Sequence, residues 1–493
     1  MASFTFKNDK DLLSAEPGRA TIAMIRAGFC PEGAQALPYR HRKAAITRAL
    51  TACILAPVRR LPTEILELIF LAFIEGHDNP YGWARILRAN IIPVCFRWRA
   101  TARGFPCMWT YVDVSRPPAP LTRWWSRLHP DQVVAQIGLS GQLPLAVQYN
   151  CNSEMDLAPI LDHCAPRLQS FSFAGSYYDI EDQPQFDLPM LRSTVIAIGG
   201  WISNLTLAVI ARAPVLEHLS LVQSWNHLAA FAHDPWYLSM NVHFPRFPRL
   251  TYLSISVVTP LTASDLWRVL ESCQHTLATL LVNAMISRST AASTPMLTLT
   301  SLQTIDLSYN AISIESFLST PNIVSVALRD ISETIAPPCI FGSIRRLASS
   351  TAMMSLRCVT LERVSSWSAC LADTGCMQAM VSVERLQIID IPTTITPPRR
   401  YVPFMRAMLH TPGQQPLFPS LKYLSLLCGG HHIEDGLQDA MDDFHDSRRA
   451  EVVGQVARLE VFDTNVERDA TFNMYDSEDE EEIEVEISLL TNQ

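Results

Sequence analysis

A short apolar phrase that recurs along the chain constrains the fold more than any other feature. In it, two residues separate the first two apolar positions and one separates the next pair. From about Leu143 onward it stands as LQSFSF at Leu168, LRSTVI at Leu191, LEHLSL at Leu216, LTYLSI at Leu250, LATLLV at Leu277 and LQTIDL at Leu302. It continues as IVSVAL at Ile323, LRCVTL at Leu356, VERLQI at Val383, LKYLSL at Leu421 and VARLEV at Val456. Side chains alternate along a strand, so the last two apolar positions of each phrase point to one face. The starts lie roughly 21 to 38 residues apart, about 29 on average, at the long end of the leucine-rich-repeat range. One such phrase arises in any buried strand. Eleven in order predict stacked parallel strands, each covering an apolar face that a single unit leaves open.

The intervening segments, such as LTASDLWRVLESCQHT from Leu261 to Thr276, carry helical periodicity and are expected on the convex side. Only LQTIDLSYN ends in an asparagine, Asn310, of the kind that ties neighbouring turns together in regular repeats. The alternative for this region is a conventional α/β domain.

The texture ahead of the repeats is helical. HRKAAITRALTACIL sets Ala45, Ile46, Ala49, Leu50, Cys53 and Ile54 at three- and four-residue spacing, an amphipathic helix that Pro57 ends. In LPTEILELIFLAFIEG, Pro62 fits the first helical turn and Glu64 sits where the helix dipole favours an acid. Ile65, Leu66, Ile69, Phe70 and Phe73 form one stripe, and Gly76 closes the helix. A second short helix is predicted around Trp83 to Arg88, and a third carries Val94, Cys95, Trp98 and Ala102 on one face until Gly104. FPCMWTYVDV then passes through Trp109 into a strand-like alternation.

At 493 residues the chain is longer than one core usually serves, so several units are expected. They are a loose leader over 1–40, a helix over 41–58, a three-helix unit over 59–113, the repeat region over 143–465 and a disordered acidic tail over 466–493. The fold class is therefore α/β overall, a small all-α unit followed by an irregular α/β solenoid with a parallel sheet.

Hydrophobic residues make up 48% of the chain, enough for a sizeable core. The richest stretch, Ile65 to Ile74, is too short to span a bilayer and contains Glu67. MASFTFKNDKDLL has no apolar core of signal-peptide type, so the expected location is the cytoplasm, the nucleus or both. Twelve cysteines form no CxxC pair and sit among apolar neighbours, which predicts buried free thiols rather than disulfides. In that setting the Asn204 to Thr206 sequon stays unglycosylated.

Of the net charge of −9, eight negative charges fall in DSEDEEEIEVE, Asp476 to Glu486, and the body is nearly neutral. RHRK at Arg40 to Lys43 is too short to make a nucleic-acid domain, so neither nucleic acid nor a membrane is expected as a partner. Ser477, followed by acids, would suit an acid-directed kinase, and Ile483, Val485 and Ile487 would suit a strand added to a partner's sheet edge.

The chain contains no GxxxxGK[ST], GxGxxG after a strand, HExxH or GxSxG, so nothing cradles a phosphate or presents a nucleophile. CGGHH, Cys428 to His432, lacks paired metal-ligand spacing and reads as a glycine-rich turn. No metal and no cofactor is expected.

Residues 56 to 113 resemble an F-box of the kind abundant in mushroom-forming fungi. The resemblance rests on Leu61, Pro62, Glu64, Ile65, Leu66, Ile69 and Phe70, then Val94, Cys95, Trp98 and Arg99, then Pro106 and Trp109. It is specific over about sixty residues and architectural over the rest. It implies a non-catalytic substrate receptor of a Skp/cullin/F-box ubiquitin ligase. The F-box would bind the Skp-type adaptor, and through it cullin, while the leucine-rich-repeat-like region would bind the protein to be ubiquitinated. Adaptor contacts carried over from the family are Leu61, Pro62, Glu64, Ile65, Leu66, Ile69, Val94 and Cys95; Phe70, Trp98 and Trp109 would hold the F-box together. Pro93 departs from the family pattern and implies a later start for the third helix.

The expected substrate face lies between the inward leucines, at Tyr252, Gln303, Asp306, Arg357, Glu384, Arg385 and Tyr423, with Glu217, His218, Thr251, Thr304, Thr360 and Ser425 beside them. Lysine occurs only at positions 7, 10, 43 and 422, which codon bias explains and which would also leave a ligase subunit few targets for its own machinery. The competing functions are a repeat scaffold whose F-box serves a complex without cullin, and an enzyme within residues 143 to 465.

Overall fold

The computed structural model describes residues 61–75, 80–91, 95–114, 130–150, 157–176, 185–199, 204–224, 241–258, 260–287, 295–331, 340–348, 355–364, 374–390, 401–409, 415–428, 436–449 and 456–464. The leader, the helix expected over 41–58, Val94, the histidines of CGGHH and the acidic tail lie outside the described residues. The chain divides into two units, Met1–Cys273 and Gln274–Gln493, which are taken in turn.

The first unit opens with α1 (Thr63–Glu75), α2 (Pro80–Ile91) and α3 (Phe96–Gly104). The Leu66 N–H donates to the Pro62 carbonyl at 3.2 Å, so the proline leads directly into α1. Cys95 is extended (φ −161°) and its thiol accepts the Trp98 N–H at 3.4 Å. This cap starts α3 at Phe96, after the Val94 at which the sequence stripe begins. Leu66, Phe70 and Ile74 of α1 meet Ala84, Leu87 and Ile91 of α2, with Ala102, Met108 and Trp109 closing the cluster.

The parallel sheet begins earlier than Leu143. Tyr111–Asp113 is already its first strand, β1, paired in parallel with β2 (Leu145–Asn150). Then follow β3 (Leu168–Ser176), β4 (Ser193–Gly199), β5 (His218–Ser224) and β6 (Tyr252–Ser256), each parallel to the one before. An open sheet edge invites unwanted pairing, and this one is covered. Arg88 of α2 and Gln136 of α4 (Pro130–Leu139) both donate to the Tyr111 carbonyl, at 2.9 and 3.1 Å. Arg88 also lies over the Trp109 ring, 5.6 Å from its centroid. The three-helix unit thus caps the sheet's first strand.

The predicted helix at Leu261 to Thr276 is present as Ala263–Ser272, with the Thr262 hydroxyl accepting the Asp265 N–H at 3.1 Å and Leu266, Val269 and Leu270 buried. The N-cap fixes its start two residues into the expected span.

In the second unit the parallel strands are β7 (Thr279–Asn283), β8 (Thr304–Ser308), β9 (Ser325–Arg329), β10 (Cys358–Glu362), β11 (Arg385–Asp390), β12 (Tyr423–Cys428) and β13 (Val461–Thr464). Thr304, Ser325, Cys358, Arg385, Tyr423 and Val461 stand in one row across them.

Across the two units, the first ten phrases bury all three of their marked positions. The eleventh is read three residues early. Val461 pairs with Tyr423 and is exposed, so the last repeat is LEVFDT, with Leu459 in the position of Leu421 and Phe462 opposite Leu424. Asn310 ties turns as expected: its Oδ1 accepts the Ile286 N–H at 2.5 Å and its Nδ2 donates to the Ile286 carbonyl at 2.8 Å.

Candidate partner-binding surfaces

Two surfaces carry the residues singled out from the sequence. The first is the outer side of α1. The five-residue apolar stripe splits into two adjacent lines, because positions four apart stack on a helix while neighbours differ by about 100°. Leu66, Phe70 and Ile74 form the buried line. Ile65 (41% exposed), Ile69 (48%) and Phe73 form the outer one, joined by Leu68 at 60%.

Leu66 is fully buried and belongs to the internal cluster, so it cannot meet a partner as the sequence suggested. Leu61 is half-buried and also packs against that cluster, while Pro62 and Glu64 are exposed. Phe70 and the half-buried Trp98 meet edge to face at 5.6 Å, and the Trp109 indole N–H donates to the Ala102 carbonyl at 2.6 Å, as core residues do. Cys95 is half-buried and spends its thiol on the α3 cap.

The Arg97 guanidinium donates to the Leu61 carbonyl, which brings the start of α3 to the start of α1. Beside it, Phe96 is 83% exposed. Sequence reasoning missed Leu68 and Phe96. Leu68 stands three residues after Ile65 and was readable as its neighbour, whereas Phe96 depends on where α3 begins. Exposed apolar side chains along one helix make the outer side of α1 a candidate interaction surface.

The second surface is the solvent side of the strands. Tyr252, in the first unit, is half-buried, with the His218 ring 5.7 Å away. In the first unit Arg192 and Glu217 pair at 2.9 Å. Gln303 and Asp306 bracket the start of β8, Gln303 exposed and Asp306 in a charged chain. Arg329 donates from Nε to both Asp306 carboxylate oxygens at 3.0 Å and also pairs with Glu362. Glu362 accepts in turn from Arg363 at 2.6 Å, and Arg363 grips Asp330, with one contact at 2.8 Å.

Burial pushes the Asp306 carboxyl up against the pull of Arg329, and the hydrogen bond to Asp330 pushes the Arg363 guanidinium above its ordinary range. Tyr309, Asp330 and Arg363 have φ of 56°, 52° and 49°, each directly after β8, β9 or β10. Such left-handed residues are unfavourable away from glycine. Here two of them are held by backbone bonds, from the Asp330 N–H to the Glu362 carbonyl at 2.9 Å and from the Arg363 N–H to the Ile389 carbonyl at 2.8 Å.

At the other end of the strands, Arg357, Glu384, Lys422 and Glu460 each precede the row residue of their own strand. Arg357 pairs with Glu384 at 3.0 Å, and Lys422 reaches the same carboxylate at 3.7 Å. Arg385 stacks over the Tyr423 ring, 5.0 Å from its centroid, and Tyr423 donates to Glu460 at 2.8 Å. The sheet therefore brings Arg357, Glu384, Arg385 and Tyr423 together. Asp306 stands apart, in the chain at the far end of the strands.

Among the described residues no group of three or more His, Cys, Asp and Glu side chains is arranged to hold a metal ion. A shallow cleft beside α4 is lined by Val134, Ile137, His163 and Arg167. The Arg167 guanidinium is already committed to the Ile137, Gly141 and Leu143 carbonyls and to Ser140. No helix among the described residues is long and apolar enough to cross a membrane. Neither family models nor curated proteins match the chain.

Proposed function

We propose that the protein is the substrate-recognition subunit of a Skp/cullin/F-box ubiquitin ligase. In this reading the helical unit holds the Skp-type adaptor, and through it cullin, while the strands present their solvent side to the protein to be modified. The chain itself performs no catalysis. The observation that carries the reading is the two-sided α1: Leu66, Phe70 and Ile74 complete a core while Ile65, Leu68 and Ile69 stay open to solvent. A further support is the seam between helices and sheet. Because Arg88 fastens α2 to the carbonyl of Tyr111, a partner on α1 would be held at a fixed place relative to β1.

The test is affinity purification from native cells. Adaptor and cullin are expected together, and Ile65→Asp with Ile69→Asp is expected to remove both while the protein stays folded by circular dichroism. Adaptor recovered without cullin would favour a scaffold acting in a different complex. Neither recovered with the wild-type protein would end the ligase reading.

A further inference from the structure

The charged residues at the two ends of β8–β12 are balanced differently. In the chain after β8, β9 and β10, the two guanidinium groups of Arg329 and Arg363 meet three carboxylates, Asp306, Asp330 and Glu362. At the start of β10–β12 stand three cations, Arg357, Arg385 and Lys422, of which Arg357 and Lys422 share one carboxylate, Glu384. Arg385 is exposed and pairs with no carboxylate among the described residues; its face lies on Tyr423. Glu460 is reached by the Tyr423 hydroxyl, and with it counted one of the three positive charges is left over. This surplus sits on an otherwise slightly acidic chain.

The same chain carries a matching segment. Asp476 to Glu486 holds eight acids and no base. The last strand, β13, ends at Thr464 and lies next to β12, so it is two strands from Arg385 and one from the strand that Lys422 precedes. At the usual strand spacing those are about 10 and 5 Å across the sheet, and Thr464, level with Leu426, stands about 10 Å further along the strands than Arg385 and about 13 Å further than Lys422. About twelve residues separate Thr464 from Asp476, and a chain of that length spans up to roughly 40 Å extended, or about 20 Å as a flexible coil. Reach is ample.

We propose that Arg357, Arg385 and Lys422 are an intramolecular docking site for the acidic segment Asp476–Glu486. The segment lies across the starts of β11 and β12, its carboxylates on the guanidinium edges and the Lys422 ammonium. Glu460 and Asp463 on the outer strand repel the segment there and leave the inner strands as its place. The tether keeps the segment at a high effective concentration, so an acidic ligand from another molecule must displace it. Whether α1 meets an adaptor does not enter this inference.

Lys422 makes the test unambiguous, because it is the one lysine in residues 44–493. A water-soluble carbodiimide joins a carboxylate to an amine in direct contact, forming an amide as the reagent takes up the lost water. Applied to the full chain at low salt, it is expected to give a peptide pair joining Lys422 to an acid of Asp476–Glu486 in the monomer fraction. The yield should fall at least about fivefold when salt is raised to about 0.5 M, where screening is short-ranged.

Arg357→Ser with Arg385→Ser should lower the yield similarly. Arg246→Ser with Arg249→Ser, an equal charge change at exposed sites of the first unit, should leave it unchanged. With residues 466–493 deleted, a synthetic peptide of residues 469–493 should bind the protein in trans at least about tenfold more tightly than it binds the full chain. Lys422 joined only to Glu384, tail crosslinks confined to the dimer fraction or to Lys7, Lys10 and Lys43, or equal peptide binding by both proteins would each overturn the proposal.

Discussion

Leu66 and Ile69 stand three residues apart on α1 yet face different surroundings, and truncating each to alanine should separate them. Leu66 is fully buried between α1, α2 and the Met108–Trp109 turn, so Leu66→Ala removes its transfer energy and leaves a cavity, a loss of about 2–5 kcal/mol. With a middle value of about 3 kcal/mol, and roughly 2–4 °C per kcal/mol for a unit of this size, the first melting transition should fall by roughly 6–12 °C. Ile69 is 48% exposed, so about half of its burial energy is at stake, about 1 kcal/mol. Alanine is the better helix former by about 0.4 kcal/mol, which offsets part of that. Ile69→Ala should therefore cost well under 1 kcal/mol and move the transition by no more than about 3 °C. Differential scanning calorimetry of the full chain, with the tryptophan emission of the first unit as a second probe, measures both. Equal losses for the two variants would refute the reasoning, because they would mean that the outer line of α1 is as buried as the inner one.

Arg88→Met keeps the aliphatic stem but withdraws the donors from the Met108 and Tyr111 carbonyls, and urea denaturation should show a loss of about 1–3 kcal/mol. Asn310→Ala should cost about 1–3 kcal/mol by orphaning the Ile286 N–H and carbonyl, with Asn310→Asp between, since an aspartate still accepts but no longer donates. Burial pushes the Cys164 and Cys273 thiols up to about 12, from an unfolded value near 9, so the folded state binds more protons between those limits. Stability should accordingly fall as pH rises from about 9 to about 12, and at pH 8 a thiol-specific dye should label the half-exposed Cys95 and Cys107 well before Cys164 or Cys273.

The strand positions were legible because burial acts on each repeat separately: Leu302, Ile305 and Leu307 have to sit inside, wherever the neighbours lie. The strand-like alternation at Tyr111–Asp113 was legible, but its place as the first strand of the sheet was not, since that depends on pairing with β2. The last repeat misled because Val456 and Val461 mimic the phrase, and only pairing with Tyr423 reveals that Leu459 is its first inward residue.

On α1, Ile65, Ile69 and Phe73 are as apolar as Leu66, Phe70 and Ile74, so composition alone could not say which line meets the core. The packing of α2 decides it. The contacts of Arg385 with Tyr423, and of Arg357 and Lys422 with Glu384, join residues of successive repeats whose spacing is irregular, so these candidates could be read from the sequence without their pairing. The left-handed residues Tyr309, Asp330 and Arg363 carry no glycine to mark them, and Asp330 and Arg363 are held by backbone bonds to neighbouring strands.

The most direct test of the two-sided helix is isothermal titration of the purified full chain with a purified Skp-type adaptor. Saturable binding with a negative heat-capacity change is expected, as apolar surface at Ile65, Leu68 and Ile69 leaves water. Ile65→Asp with Ile69→Asp should abolish it in a protein that stays folded by circular dichroism. Binding that survives both substitutions, or no binding by the wild type, would contradict the account.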